Sequence, residues 1–178
     1  KIHCHVQCVA ADSPEMDDVY DVAAAHNVPV IIHAGDAPYS PHYRCDVRVL
    51  CPPGAMERAL MLHRNTNVIV PHLGAEQLEA FSSMMERHPR LYLDTAMALA
   101  RYFPAEEPDD DTRQRWLERA AAVVRRWPDR ILYGSDFPNL PYGWSAELDA
   151  VAALGLDDAA LNALLCGTAT RVFGLDRV

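Results

Sequence analysis

Apolar residues along this chain alternate between two spacings, and the alternation predicts the elements. Stretches with apolar positions three and four apart read as amphipathic helices. Short unbroken apolar runs between them read as strands buried on both faces. The first helix is expected over residues 16–26, with Met16, Val19, Tyr20 and Ala23 on one face and a break at Asn27 and Pro29. Further helices follow at 56–64, 76–87, 112–127, 146–154 and 158–165, with a short segment at 169–173. In the third, Leu78, Phe81, Met84 and Met85 point inward; in the fourth, Trp116, Ala120, Val123 and Trp127 do so. Strands are expected at 2–6, 30–32, 68–70, 91–93 and 131–133. Two stretches, 34–54 and 104–111, fit neither spacing and read as long loops, which in a compact domain are usually functional.

Strands that alternate with helices imply an α/β fold with a parallel sheet covered by crossover helices. In such sheets ligands collect outside the C-terminal strand ends. Four polar residues fall there: His33 in His33-Ala34-Gly35, His72 in His72-Leu73-Gly74, Asp94 in Asp94-Thr95, and Asp136 in Gly134-Ser135-Asp136-Phe137-Pro138. Imidazoles and a carboxylate on rigid strand ends are the donors a water-activating divalent metal requires. His33 is the candidate metal ligand. His72 is a ligand or a general acid/base. Asp136 is a ligand or the base that takes a proton from water. Each has a plainer reading taken alone. A strand-end His is often a satisfied structural residue, and an Asp after Gly-Ser often caps a turn. Their recurrence on successive strands is what favours a shared site.

Composition narrows the function classes. Among 178 residues, 16 Lys and Arg face 25 Asp and Glu, a formal charge of −9. So acidic a surface repels phosphate backbones, so nucleic acid is not an expected partner. No apolar run reaches the roughly 20 residues that span a bilayer and no secretory leader is visible, so neither membrane nor export is expected. Five cysteines (Cys4, Cys8, Cys45, Cys51, Cys166) form no CxxC pair and read as reduced thiols of a cytoplasmic protein. The whole of 1–178 is expected to form one domain, although a closed eight-stranded barrel usually needs about 250 residues.

The strand-end motifs resemble strands five to eight of the amidohydrolase-related family of metal-dependent hydrolases and decarboxylases. The strand-eight segment and the two His-x-Gly endings carry the likeness most specifically. Cys166 to Leu175 is similar to that family's C-terminal segment, with Thr168-Ala169 where Asn-Ala is usual. The opening Lys1-Ile2-His3-Cys4-His5-Val6-Gln7 resembles strand four. The resemblance covers essentially the whole chain and implies a partial (β/α)8 TIM barrel, strands four to eight with their helices. It implies metal roles for His33 and Asp136, most often toward Zn2+, and a catalytic role for His72, with Asp136 as a second catalytic group. Asp94 is read either as a substrate contact or as a residue bonding neighbouring backbone.

In that family a His-x-His pair ends strand one and supplies two further ligands. His3 and His5 form such a pair, but only one helix separates them from His33, so they fit strand four, and strands one to three are expected to be absent. Alternation would put Lys1, His3 and His5 on one strand face, where both imidazoles are candidate substrate contacts. Some relatives carry a carboxylated strand-four Lys bridging two metals; Lys1 sits at the wrong end of its strand for that role. Arg44, Arg48, Arg101 and Tyr142 in the loops are candidate holders of a substrate carboxylate, or solvated surface groups.

The leading expectation is therefore a metal-dependent hydrolase of a small carboxylated or lactone substrate, with a decarboxylase of the same family as the alternative. Two further readings compete. One is a non-catalytic half-barrel that oligomerises to cover its open edges. The other is a small zinc module built on His3, Cys4, His5 and Cys8.

Overall fold

The computed structural model describes residues 1–35, 43–100, 109–138 and 140–175. At its centre lie four parallel strands, β1 (Val30–Ile31), β2 (Val68–Val70), β3 (Leu91–Asp94) and β4 (Ile131–Leu132). Their order in the sheet is their order in the chain. Val30 stands opposite Val68, Val68 opposite Leu91, and Leu93 opposite Ile131. A doubly wound sheet reverses direction at a switch point; this one does not. Successive crossovers of one hand then place all the connecting helices on one face.

In chain order the helices are α1 (Cys4–Gln7), α2 (Asp17–Ala25), α3 (Val47–Leu50), α4 (Pro53–Leu62), α5 (Leu78–Arg87), α6 (Asp110–Arg126), α7 (Ser145–Ala153), α8 (Asp158–Asn162) and α9 (Thr168–Phe173). Strand alternation divides the core in two. Val30, Val68, Val70, Leu91, Leu93 and Ile131 pack with Tyr20, Met56, Phe81, Met85 and Trp116 from the helices. Ile31, Ile69, Tyr92 and Leu132 form a second layer, met by Ala169 and Val172. Each fully buried Leu, Phe or Met stabilises by about 1.5–3 kcal/mol, so the helix-covered face dominates the packing.

Local chemistry sets where the elements begin and end. α6 starts two residues earlier than its apolar period predicts because Asp109 caps it, accepting the Thr112 N–H at 2.7 Å. Asp110 and Asp111, expected in a loop, form its first turn, and Arg125 and Arg126 its last, in keeping with the helix dipole. The expected helix at 158–165 and the short segment after it are one helical run, with a wide π turn at Ala163–Gly167. Leu164 in that turn accepts the Tyr133 N–H at 2.8 Å. The run therefore covers the exposed edge of β4, which would otherwise invite pairing.

Two expectations are corrected. Val19 was placed on the inward face of its helix but is 37% exposed, while Met16 and Tyr20 are buried. The expected strand over 2–6 is reduced to one parallel bridge, Ile2 to Ile32. From Cys4 the chain is helical, because the Gln7 side chain reaches back to accept the His3 N–H at 2.7 Å while Val6 and Gln7 donate to the His3 carbonyl. No helix among the described residues is long and apolar enough to cross a membrane.

Candidate active site at the strand ends

His33 leaves β1 beside Ile2, whose carbonyl accepts its N–H at 3.1 Å. His72 leaves β2 after Pro71 with φ +58, opening a run of left-handed residues through Leu73, Gly74 and Ala75. That bend turns the His72 ring back over the sheet end. The two imidazoles meet there, with Nε2 of His33 3.2 Å from Nε2 of His72. The glycines that follow explain the shared His-x-Gly pattern. A Cβ on Gly35 (φ +95) would stand 2.5 Å from the Gly74 carbonyl oxygen, and one on Gly74 (φ +78) 2.1 Å from Phe81 Cδ2. The two loops approach closely only because neither residue has a side chain.

The His72 tautomer follows from its partners. Its Nδ1 lies 2.6 Å from the Ala96 carbonyl, which can only accept, so Nδ1 carries the proton and Nε2 presents a lone pair toward His33. Asp94 holds the same loop. Its Oδ1 accepts the backbone N–H of His72 at 3.1 Å and of Ala96 at 3.0 Å. Burial pushes the Asp94 carboxyl above the usual range, opposed by the neighbouring His72 ring, these two N–H groups and Lys1. Asp94 is thus seen bonding neighbouring backbone, the plainer of its two readings.

His3 stacks on His33 with ring centroids 4.0 Å apart, and His5 lies 5.6 Å from His33. The helical turn does what strand alternation was expected to do: it sends His3 and His5 toward the site and Cys4 into the core. His3 Nδ1 and His5 Nε2 are buried with no hydrogen-bond partner among the described residues. Burial foremost, and then the neighbouring rings, lower the His33 pKa to about 2; His3 and Lys1 contribute among those neighbours. Burial, His3 and His72 lower His5 to about 4. His3 is lowered too, by burial first and then by Lys1 and His72. Rings held neutral in this way keep their lone pairs available at neutral pH.

Asp136 (φ +67) sits farther along the rim, before the cis Phe137–Pro138 bond, with Oδ1 3.5 Å from the Lys1 ammonium. The structure therefore joins His33, His72, His3 and His5 directly and places Asp136 beside Lys1. Among the described residues no three His, Cys, Asp or Glu side chains are grouped closely enough to hold a metal ion. That overturns a zinc module on His3, Cys4, His5 and Cys8: Cys4 is buried in the core and Cys8 is exposed. For the larger site, the donor types and the orphaned ring nitrogens suit a divalent ion, while the donors brought together are an incomplete set.

Sequence reasoning missed several neighbours. Lys1 was discounted, yet it is the cation beside Asp136. Tyr43 packs edge-on against His5, centroids 5.4 Å apart, and the Cys51 thiol lies 3.0 Å from His5 Nδ1. Glu147 is fully buried, bonded to the Tyr142 hydroxyl at 2.5 Å and the Leu99 N–H at 3.3 Å; burial raises its pKa. No spacing rule links residues this distant in sequence. Among the loop cations, Arg48 pairs in a fork with Asp46, and Arg101 lies outside the described residues.

Comparison with known proteins matches this arrangement. An amidohydrolase family profile fits residues 1–175. Among solved structures, an uncharacterised TIM-barrel protein of Bordetella bronchiseptica is 21% identical, with a TM-score of 0.69 over 93% of this chain and 52% of its own. A zinc-bound amidohydrolase of Burkholderia multivorans is 14% identical, TM-score 0.67, over 97% of this chain and 63% of its own. A candidate 2-pyrone-4,6-dicarboxylic acid hydrolase of Pseudomonas putida is 15% identical, TM-score 0.65, over 94% and 59%. No curated protein matches. The chain spans about half to two thirds of these structures, and its sequential parallel sheet is a partial TIM barrel, with Ile31, Ile69, Tyr92 and Leu132 on the inner face. The chain belongs to the amidohydrolase family.

Proposed function

We propose that these strand ends form part of the active site of a metal-dependent hydrolase acting on a small carboxylated or lactone substrate. The observation that carries the reading is the convergence of His33 Nε2 and His72 Nε2 at 3.2 Å, beside two buried ring nitrogens without partners. His33 and Asp136 are the residues that would hold a divalent ion, Zn2+ in keeping with the zinc-bound relative, with further donors beyond this pair. Such an ion supplies Lewis-acid polarisation of a carbonyl and a lowered pKa for water.

The chain's own residues would do the rest. The unprotonated Nε2 of His72, fixed by Ala96, is oriented to accept a proton and later return it to the leaving oxygen. Asp136, with the Lys1 ammonium 3.5 Å from its Oδ1, is the second proton acceptor. His3 and His5 would meet the substrate with neutral rings. A panel of lactones and carboxylated aromatics tests this, with acid release and CO2 release followed separately. Acid release without CO2 marks hydrolysis; CO2 release marks the decarboxylase alternative. Turnover of neither, with zinc present, counts against an enzyme.

One observation favours a second reading. The incomplete donor set among the described residues suits a non-catalytic half-barrel that self-associates along the β1 side of its sheet, which Ile2 meets in a single bridge. That reading expects an oligomer indifferent to chelators, whereas the enzyme reading expects EDTA to lower the melting temperature.

A further inference from the structure

The carbonyl that takes the His72 proton belongs to a turn held in a disfavoured conformation. The Ala98 N–H reaches the Thr95 carbonyl at 2.9 Å, so Thr95 to Ala98 form a β-turn with Ala96 and Met97 at its centre. Met97 has φ +56, the left-handed value of the third residue in a type II turn, which side chains other than Gly disfavour. The direction of the peptide joining Ala96 to Met97 is what separates type II from type I. Turned as it is, that peptide offers the Ala96 carbonyl to His72 Nδ1 at 2.6 Å. Flipped, it would offer the Met97 N–H there, and a donor in that place needs an unprotonated Nδ1.

Contacts at both ends of the turn oppose that flip. On the β3 side, Asp94 Oδ1 accepts the Ala96 N–H at 3.0 Å, and Thr95 Oγ1 accepts the Gly134 N–H at 3.2 Å. On the far side, the Ala98 carbonyl accepts from Trp116 Nε1 at 2.5 Å, and the Leu99 N–H donates to Glu147 Oε2 at 3.3 Å. Leu99 is buried, so its N–H requires an acceptor, and that acceptor is a side chain 48 positions away on α7. The other oxygen of Glu147 is held by the Tyr142 hydroxyl at 2.5 Å. Tyr142 lies in the segment that follows Asp136, so one buried carboxyl ties the loop after β3 to the loop after β4.

We infer that Glu147 is a positioning residue: by holding the Leu99 N–H it keeps the Ala96 carbonyl turned toward His72, and so keeps the His72 proton on Nδ1. A left-handed Met persists only where its surroundings over-determine it, and Glu147 supplies one of those constraints from outside the loop. Without that anchor the turn relaxes toward the flipped form, and Nε2 of His72 no longer presents its lone pair to His33. The inference rests on the proposed site in one respect, that His72 has a proton to move. The hydrogen bonds that carry it do not depend on any reaction.

Nitrogen-15 NMR of the histidine-labelled chain, without added metal and at one fixed neutral pH, tests this. His72 is identified by the signals lost in His72→Ala. The readout is a tautomer and not turnover, so a failed substrate panel and a failed tautomer test are separate results. The wild type should show His72 as a single Nδ1–H form, and Glu147→Ala should lose it to the Nε2–H form or to a mixture. Glu147→Gln, whose amide can accept from Leu99 and donate to Tyr142, should restore it. Should Glu147→Ala fail to fold, Glu147→Leu combined with Tyr142→Phe makes the same cut with apolar groups of similar shape. Tyr142→Phe alone also removes a buried hydrogen bond but leaves the Leu99 contact, and should keep the wild-type form. An Nε2–H His72 in the wild type, or an unchanged tautomer in the folded variants that lack the Leu99 acceptor, would overturn the proposal. So would the same loss in Glu147→Gln or Tyr142→Phe, which would mean that His72 responds to any disturbance of this region.

Discussion

The Nε2 atoms of His33 and His72 stand 3.2 Å apart, although the residues lie on different strands and are separated by 39 positions. A protonated nitrogen facing an unprotonated one explains the contact, and Ala96 determines which is which by taking the His72 Nδ1 proton. The pair is therefore ordered by backbone that neither histidine belongs to. Replacing His72 with Ala should lower hydrolysis by about 10²–10⁴-fold, the usual contribution of a positioned acid/base, with the far-UV circular dichroism spectrum retained. Steady-state kinetics on the substrate found in the lactone panel checks this, and an unchanged kcat would remove His72 from the chemistry.

Asp94 is expected to act through position. Its Oδ1 accepts two backbone N–H groups that orient the His72 loop. Asp94→Ala leaves both N–H groups without that acceptor and should destabilise by about 2 kcal/mol. Asp94→Asn keeps the carbonyl oxygen and should cost less. Urea unfolding of the two variants separates these outcomes; equal losses would mean the carboxylate charge matters more than the hydrogen bonds.

Gly74→Ala should be among the most damaging small substitutions. The added methyl meets the Phe81 ring at 2.1 Å and sits at a φ of +78 that side chains disfavour. A loss of about 3 kcal/mol is expected. Thermal unfolding measures it, and a variant as stable as the wild type would show that the loop repacks without strain.

Much of this was legible in the sequence, because the apolar runs at 68–70 and 91–93 have no other stable use than a buried parallel strand. The strand ends then located His33, His72, Asp94 and Asp136 by position alone. Residues 2–6 were misread because an apolar alternation of five residues is equally short helix or strand, and the Gln7 side chain decided between them. The contacts of Lys1, Tyr43 and Cys51 with the site were not legible. They depend on how loops fold back over the sheet, and no periodicity records that.

Acid should weaken the metal-free protein through its buried imidazoles. His33 and His5 are held near 2 and 4 when folded, against an ordinary 6.5 when unfolded. Below about pH 6.5 the unfolded chain takes up protons that the folded one refuses, so stability present above that pH is lost as pH falls, down to about pH 4 for His5 and lower for His33. Each ring contributes up to about 1.4 kcal/mol per pH unit. Asp94 and Glu147, raised by burial, act in the opposite sense. Urea midpoints taken between about pH 7 and pH 5 test the imidazole effect, and stability that stays flat or rises toward pH 5 would contradict it.

The most direct test of a shared metal-dependent site is calorimetric titration of the chain with Zn2+, beside His33→Ala and Asp136→Ala. The account predicts zinc uptake by the wild type and at least about tenfold weaker binding in each variant, with circular dichroism unchanged. No uptake by the wild type, or equal uptake by all three proteins, would contradict it.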